Sequence, residues 1–193
     1  SELTGIESGS IIRIGAMITQ ADIIDNASLA SSAPILKEAS LQIADPQVRY
    51  MGTVGGNVAN GDPGNDMPGL MQCLDATFIL RGPNGEREVK ARDFYHAAYM
   101  TEREDDEVMV AVTFDAPKGG YAYEKQKRKI GDYATAAAAV IISKDGSECK
   151  EASIAMTNLS DTPVFCGAAS DCLIGTSVSA EDIKNAVNSM IDA

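Results

Sequence analysis

Residues 50–71 read YMGTVGGNVANGDPGNDMPGLM, a stretch rich in glycine that also holds two prolines. Glycine tolerates unusual backbone dihedrals and lets the backbone come close to another group. The TVGGN segment at 53–57 is predicted to form a tight turn, whose successive N–H groups could bind an anion. Gly55 and Gly56 would leave room for a phosphate, and Thr53 and Asn57 would add a hydroxyl and an amide. A bare glycine turn without a ligand is the alternative interpretation.

Two familiar phosphate motifs do not fit this stretch, because it has neither G-x-G-x-x-G between a strand and a helix nor G-K-[ST]. A calcium loop is disfavoured, since Gly64 stands where an oxygen ligand is needed and prolines interrupt the loop.

Asp66 has two interpretations. Its carboxylate could cap the helix that follows, or it could accept hydrogen bonds from the hydroxyls of a sugar or polyol.

The overall charge limits the class of partner. The chain has 193 residues, a formal net charge of −12 and a pI near 4.4. A role on nucleic acid or on an anionic membrane is therefore disfavoured, because such surfaces require clustered cations. The exception is a basic island, KQKRK at 125–129, for which a solvated face is the simplest explanation. Neither an apolar membrane span nor a secretory pattern is found, so we expect a cytoplasmic protein.

No residue pattern indicates chemistry performed by this chain itself. The four cysteines form no C-x-x-C pair, and a single histidine, His96, is too few for a histidine-based metal site. Zinc, haem and iron–sulfur sites are disfavoured for this reason. No G-x-S-x-G motif is present either. We therefore nominate no catalytic residue and no metal ligand, and any chemistry would belong to a cofactor or a partner.

Hydrophobic periodicity predicts an α+β protein. Val108, Val110, Val112 and Phe114 alternate as in a strand with one buried face, and Gly-Pro-Asn-Gly at 82–85 is a hairpin signal. Helices are predicted over 19–26, 34–43, from 67 onwards and after Ser179, and strands over 11–16, 77–81, 87–91, 108–114, 121–125, the second half of 134–143 and 151–157.

Two further sequence signals concern boundaries. Asp45-Pro46 is expected to end the second helix, because the residue before proline avoids the helical region. The glycine-rich segment at 117–120 is expected to separate two domains, 1–117 and 118–193. The apolar residues of the last helix, Ile183, Ala186, Val187, Met190 and Ile191, are predicted to face inward.

Two long segments carry a family resemblance. IADPQVRYMGTVGGNVANGDPGNDMP at 43–68 resembles the second flavin-binding segment of the medium subunit of the xanthine oxidase (molybdenum hydroxylase) family, with its R-x-x-G-T-[IV]-G-G-N core. GGNVANGDPGNDMPGLMQCL at 55–74 and GYAYEKQKRKIGDYATAAAAV at 120–140 are most similar to the flavoprotein subunits of aerobic carbon monoxide dehydrogenases. The resemblance extends over most of the chain.

The resemblance implies a fold, a cofactor and partners. The fold would be the second half of a flavin-binding domain of the vanillyl-alcohol-oxidase (PCMH) type, followed by a small α+β domain with an antiparallel sheet. The cofactor would be FAD, reduced through an iron–sulfur small subunit by a molybdopterin large subunit. Residues 53–57 would contact the pyrophosphate, Asp66 the ribityl or ribose hydroxyls, and Lys125 would lie near the flavin. Tyr133 would stack on the isoalloxazine ring. The implied cofactor-binding residues are therefore Thr53, Val54, Gly55, Gly56, Asn57, Asp66, Lys125 and Tyr133.

The family's first pyrophosphate loop, an A-G-G-[THQ]-[SD] turn, and its closing helix have no counterpart in this sequence. We therefore expect an internal piece of a longer subunit that binds FAD weakly or not at all on its own. An unpaired sheet edge would favour self-association.

Three functions follow from these observations. The first is an FAD-binding electron-transfer subunit that serves a molybdenum enzyme oxidising carbon monoxide. The second is a structural docking module without a cofactor, and the third is a sister flavoprotein subunit of a xanthine, aldehyde or N-heterocycle dehydrogenase.

Overall fold

A computed structural model describes residues 2–191 and confirms the α+β class. In chain order the strands are β1 (Ile6–Glu7), β2 (Ile11–Gly15), β3 (Thr77–Gly82), β4 (Gly85–Lys90), β5 (Tyr95–Ala97), β6 (Met100–Thr101), β7 (Val108–Asp115), β8 (Gly120–Gln126), β9 (Ala136–Asp145), β10 (Glu148–Thr157) and β11 (Val164–Phe165). The helices are α1 (Gln20–Asp25), α2 (Ala27–Ser32), α3 (Pro34–Gln42), α4 (Pro46–Met51), α5 (Val54–Ala59), α6 (Asp66–Cys73), α7 (Gly167–Leu173) and α8 (Ala180–Ile191).

The first sheet is antiparallel and has the strand order β1-β2-β7-β3-β4. The alternating strand predicted over 108–114 is its central strand, β7, and the hairpin predicted at Gly-Pro-Asn-Gly joins β3 to β4. Gly85 closes that hairpin with φ of +106°, a backbone conformation that is strained in residues with a side chain. Phe78, Phe94 and Tyr95 pack edge to face beside this sheet, with ring centroids 4.8 to 6.4 Å apart.

The short helices α1 to α5 follow β2 in the chain and precede β3. Thr19 and Asp22 form the predicted capping box of α1, with Asp22 N–H donating to Thr19 Oγ1 at 3.1 Å and Thr19 N–H donating to Asp22 Oδ2 at 2.9 Å. The prediction for Asp45-Pro46 is incomplete. Helix α3 does end before it, but Asp45 caps a new helix, α4, in which Pro46 occupies the first turn. Proline is favoured there because that N–H has no helical partner.

The second sheet is antiparallel, with the order β11-β10-β9-β8. Sequence periodicity predicts a strand only in the second half of the alanine-rich segment, yet β9 runs over Ala136–Asp145. Strand β9 lies between β8 and β10, which both pair with it along most of its length. Pairing on two sides therefore outweighs the helical propensity of alanine.

The last helix, α8, begins at the predicted cap, since Ser179 N–H donates to Asp182 Oδ2 at 2.8 Å. The predicted inward face is only partly correct. Ala186 is buried, and Met190 packs against the apolar cluster that the second sheet forms with α7 and α8. Ile183, Val187 and Ile191 are exposed.

Helix α6 connects the two sheets. Gly69 lies so close to β10 that a Cβ would come within 2.3 Å of Thr157 Oγ1. Further along α6, Ser153 Oγ donates to the Cys73 carbonyl at 2.6 Å, and Cys73 Sγ lies 3.3 Å from the Ser153 carbonyl. Burial raises the pKa of the Cys73 thiol to about 12, so this cysteine is a core residue as its apolar surroundings predict. Among the described residues, no helix is long and apolar enough to cross a membrane.

Near the β3–β4 hairpin, Arg87 holds Glu107 in a bidentate ion pair, with Nε–Oε1 and Nη2–Oε2 distances of 2.7 and 2.9 Å. The hydrogen bonds from Arg87 lower the pKa of Glu107 from its usual value of 4.5 to about 2. Because the pKa of Glu107 is lower in the folded chain than in the unfolded chain, the ion pair stabilises the fold at pH values above the unfolded-state pKa. This stability is lost as the pH falls towards 2.

We expect Glu107→Gln to lower the free energy of unfolding at pH 7 by about 1 kcal/mol. This value is below what the pKa shift alone implies, because the Arg87 side chain is 37% exposed and solvent weakens the ion pair. The difference from wild type should shrink as the pH is lowered from 4.5 to 2. Urea unfolding at several pH values measures this difference. An equal cost at pH 3 and pH 7 would contradict the assigned ion pair.

Candidate functional site

The first sheet with helices α1 to α6 is called the first unit below, and the second sheet with α7 and α8 the second unit. A cleft of about 300 Å³ lies where the first unit meets the second sheet. Four of the predicted cofactor-binding residues line it, namely Asn57, Asp66, Lys125 and Tyr133. The remaining wall is formed by Ile43, Ala44, Val48, Asn65, Gly131 and Asp132. Residues from the glycine-rich stretch and from the basic island, distant in sequence, therefore meet at one site.

Residues 53–57 do not form the predicted tight turn. They form the N-cap and first turn of α5, with Thr53 Oγ1 accepting from Gly56 N–H at 3.0 Å. The Val54 and Gly55 N–H groups donate to the carbonyls of Ile18 and Ala16 at 2.8 and 2.9 Å. The prediction of an array of inward-pointing amides is therefore wrong, because these N–H groups already donate to other atoms of the protein. The Thr53 hydroxyl accepts one bond and keeps its own proton for a second acceptor.

The two glycines of this segment differ in environment. Gly55 is buried, and a Cβ there would lie 2.5 Å from Ala16 Cβ and 2.8 Å from the Ala16 carbonyl oxygen. Gly56 is exposed, and among the described residues the close neighbour of a Cβ would be Thr53 Oγ1 at 2.9 Å. Gly55 therefore allows α5 to pack on the end of β2, whereas Gly56 leaves the exposed start of α5 open to a ligand. Val54 is fully buried, so its side chain belongs to the core.

Asp66 and Lys125 form a buried ion pair. Lys125 Nζ donates to Asp66 Oδ2 at 2.8 Å, and the two side chains are only 1% and 5% exposed, lysine first. Tyr123 OH donates to the other carboxylate oxygen at 2.5 Å, and Lys125 Nζ also donates to the Gln42 carbonyl at 3.2 Å. Burial, followed by the nearby Asp66 charge, raises the pKa of Tyr123 far above its usual value, so this phenol remains a donor.

The pair excludes one of the two interpretations of Asp66. Its carboxylate does not cap α6, since Asn65 occupies the N-cap position and both oxygens of Asp66 bond to β8. The cap bond comes instead from Asn57, whose Oδ1 accepts from Met67 N–H at 3.2 Å. Asn65 Nδ2 donates back to the Asn57 carbonyl at 2.9 Å. Asn57 therefore ties α5 to the start of α6 at the cleft wall.

Tyr133 stands at the mouth of the cleft with 63% of its surface exposed. Asp132 supports its loop by accepting from Tyr133 N–H at 3.2 Å and from Arg128 Nε at 3.2 Å. An exposed aromatic ring beside a cleft can stack on a planar ligand.

The basic island does not form one charged face. Lys125 is buried, and Lys127 Nζ donates to Gln42 Oε1 at 3.3 Å. Arg128 pairs with Asp132, and Lys129 is exposed. Two of the four cations are thus directed back to the protein, which leaves Arg128 and Lys129 as the exposed positive charges of this segment.

Sequence reasoning missed Tyr123, although the signal was present. The strand predicted over 121–125 puts Tyr123 and Lys125 two residues apart, so both project from the same face. Within residues 2–191, no group of three histidine, cysteine, aspartate or glutamate side chains is arranged to hold a metal ion.

The fold and the cleft define the class of protein. Residues 1–117 match the family described as the FAD binding domain in molybdopterin dehydrogenase, and residues 121–192 match the CO dehydrogenase flavoprotein C-terminal domain. The chain therefore belongs to the flavoprotein family of molybdopterin dehydrogenases.

Individual relatives narrow this class. The chain is 53% identical over 189 residues to the carbon monoxide dehydrogenase medium chain of Afipia carboxidovorans, covering 96% of this chain and 66% of that one. It is 44% identical to the corresponding chain of Hydrogenophaga pseudoflava, covering 98% and 67%. The reconstituted CO dehydrogenase structure from Oligotropha carboxidovorans superimposes with a TM-score of 0.95 at 52% identity, over 98% of this chain and 67% of that one. The chain thus spans about two thirds of the length of these relatives.

Proposed function

We propose that this protein is the FAD-binding electron-transfer subunit of a molybdenum hydroxylase that oxidises carbon monoxide. The observation that carries the proposal is the meeting of Asn57, Asp66, Lys125 and Tyr133 at one cleft in a chain whose two family matches are both flavoprotein domains. The high identity to two carbon monoxide dehydrogenase medium chains favours carbon monoxide over the substrates of sister enzymes. No specific observation favours a docking module without a cofactor.

The cleft fits part of FAD. Its volume of about 300 Å³ is at the lower end for ligand sites, so it would take the ring region while the pyrophosphate lies outside, at the start of α5. Tyr133 would stack on the ring, and the exposed Gly56 would let a phosphate approach the Thr53 hydroxyl. The Asp66 carboxylate has lone pairs beyond those used by Tyr123 and Lys125, and these would accept a hydroxyl of the ribityl chain.

When bound, FAD supplies the electron-accepting chemistry, and this chain supplies binding and orientation. The partners in the proposal are an iron–sulfur small subunit and a molybdopterin large subunit. The location in the proposal is the cytoplasm, where the four free cysteines would remain reduced. We also propose that the domains divide as 1–117 and 118–193, within the glycine-rich connection before β8.

Gly56→Val tests the assignment of the phosphate site. We expect it to raise the dissociation constant for FAD roughly tenfold to hundredfold, because a branched side chain would displace the Thr53 hydroxyl and block a charge-assisted hydrogen bond. The measurement is a titration of FAD with the protein, followed by flavin fluorescence and absorbance.

The matched control is Gly9→Val, since within residues 2–191 the nearest contact of a Cβ at Gly9 is the Ile11 carbonyl oxygen at an ordinary 3.6 Å. Equal affinities of the Gly56 and Gly9 variants would refute the phosphate site. No saturable binding by the wild type up to about 1 mM, equivalent to roughly 4 kcal/mol of binding free energy, would refute FAD binding by this chain on its own. Stoichiometric flavin absorbance in the purified wild type would instead contradict the expectation of weak binding.

A further inference from the structure

The ring of Tyr133 lies beside Gly64. A Cβ built at Gly64 would lie 3.2 Å from Tyr133 Cδ1 and 3.6 Å from Tyr133 Cβ. The first distance is shorter than a relaxed carbon–carbon contact, so a side chain at position 64 would require the ring to move by a few tenths of an ångström. Gly64 lies outside the positive-φ region, so a side chain at this position would disturb the contact with Tyr133 and not the backbone dihedrals.

The turn that carries Gly64 is itself fixed from both sides. Asp62 Oδ1 accepts from Gly64 N–H at 2.9 Å, which closes the turn. Asp62 Oδ2 accepts from Tyr99 OH at 3.1 Å, and this hydrogen bond raises the pKa of the Tyr99 phenol. Tyr99 N–H also donates to the Gly61 carbonyl at 2.8 Å.

Tyr99 adopts an unusual conformation to make these contacts. Its φ is +61°, although it is not a glycine, and its ring is largely exposed. A bulky residue with positive φ is a genuine outlier, which persists where surrounding contacts determine it. Here the contacts are two hydrogen bonds to the turn that supports Tyr133.

We propose that Asp62, Gly64 and Tyr99 are positioning residues that fix the Tyr133 ring at the mouth of the cleft. They act through Tyr133 and need not touch the ligand. Tyr99 in the β5–β6 hairpin and the turn between α5 and α6 thereby position an aromatic ring on the loop between β8 and β9. The consequence for flavin rests on the proposed function, whereas the placement of the ring does not.

The chain contains no tryptophan, so Tyr133→Trp would introduce a single emission probe at this position. In the protein without flavin, we expect Gly64→Ala to shift the emission of the introduced tryptophan to longer wavelength and to increase its quenching by acrylamide. Tyr99→Phe, which removes only the hydroxyl donor to Asp62, should change both signals in the same direction and by less.

The control is Gly9→Ala in the same tryptophan background. It makes the same chemical change at a site where a Cβ meets only one atom, at 3.6 Å. Tryptophan signals that do not differ among the Gly64, Tyr99 and Gly9 variants would overturn the proposal. If Gly64→Ala prevents folding, the exposed Tyr99→Phe change alone decides the outcome.

A second measurement uses flavin and the natural Tyr133. We expect Gly64→Ala to raise the dissociation constant for FAD about threefold to tenfold, the share of affinity that one aromatic stack provides. Shifted tryptophan signals without any FAD binding by the wild type would support the positioning role and refute FAD binding by this chain on its own. FAD binding with unshifted tryptophan signals would do the reverse.

Discussion

Lys125→Met is expected to lower the free energy of unfolding by about 3–5 kcal/mol, the usual cost of removing one partner of a buried ion pair. The change leaves the Asp66 carboxylate almost fully enclosed, with Tyr123 OH as its remaining side-chain donor. Methionine has a length similar to that of the lysine stem, so the loss of charge and not of packing would dominate the effect.

A double-mutant cycle isolates the pair. Asp66→Asn alone should also destabilise, because it leaves a buried ammonium group, whereas the double variant should recover a large part of the summed cost. Urea unfolding provides the four free energies. Lys129→Met is the matched control at an exposed position of the same segment, and it should stay within about 0.5 kcal/mol of wild type. A cost for Lys125→Met as small as the control would show that the pair does not form.

Gly55→Ala is expected to destabilise the protein by about 3 kcal/mol through overpacking. The direction of this change is informative, because a glycine-to-alanine substitution within an ordinary helix raises the free energy of unfolding by up to about 1 kcal/mol. Here the new Cβ would overlap Ala16 Cβ and its backbone, while the hydrogen bond from Gly55 N–H to the Ala16 carbonyl prevents α5 from moving away.

Two further variants sharpen this test. Ala16→Gly removes one of the overlapping atoms, so adding it to Gly55→Ala should recover part of the loss. Gly56→Ala should change stability by less than about 1 kcal/mol, since the gain in helix propensity offsets a weakened Thr53 cap. Thermal unfolding measures all three. Similar stabilities for the Gly55 and Gly56 variants would contradict the different roles assigned to these glycines.

The local signals in the sequence predicted local structure well. The alternation in β7, the Thr19 and Ser179 caps and the Gly-Pro-Asn-Gly hairpin need no distant partner, and the structure confirms each of them. Predictions failed where a distant partner decides the outcome. Residues 53–57 become helical because the Ala16 and Ile18 carbonyls accept the first amides, and the alanine run becomes a strand because two strands flank it.

The candidate site follows the same rule. The family resemblance named four of the residues that line the cleft, but the ion pair between Asp66 and Lys125 joins positions 59 residues apart, and no spacing in the sequence encodes it. The support of Tyr133 by Gly64 was equally hidden, since the glycine reads as an ordinary turn residue. Contacts between the two units become visible only when the fold brings them together.

Helix α6 has a consequence for how the cleft would receive a ligand. One end is bonded to β8 through Asp66, and the other is bonded to β10 through Cys73. The two walls are therefore joined before any ligand arrives, and closing the cleft by a hinge would require breaking these buried bonds. Such a site is preorganised, so little conformational entropy is lost on binding, and affinity depends on the contacts that the walls already offer.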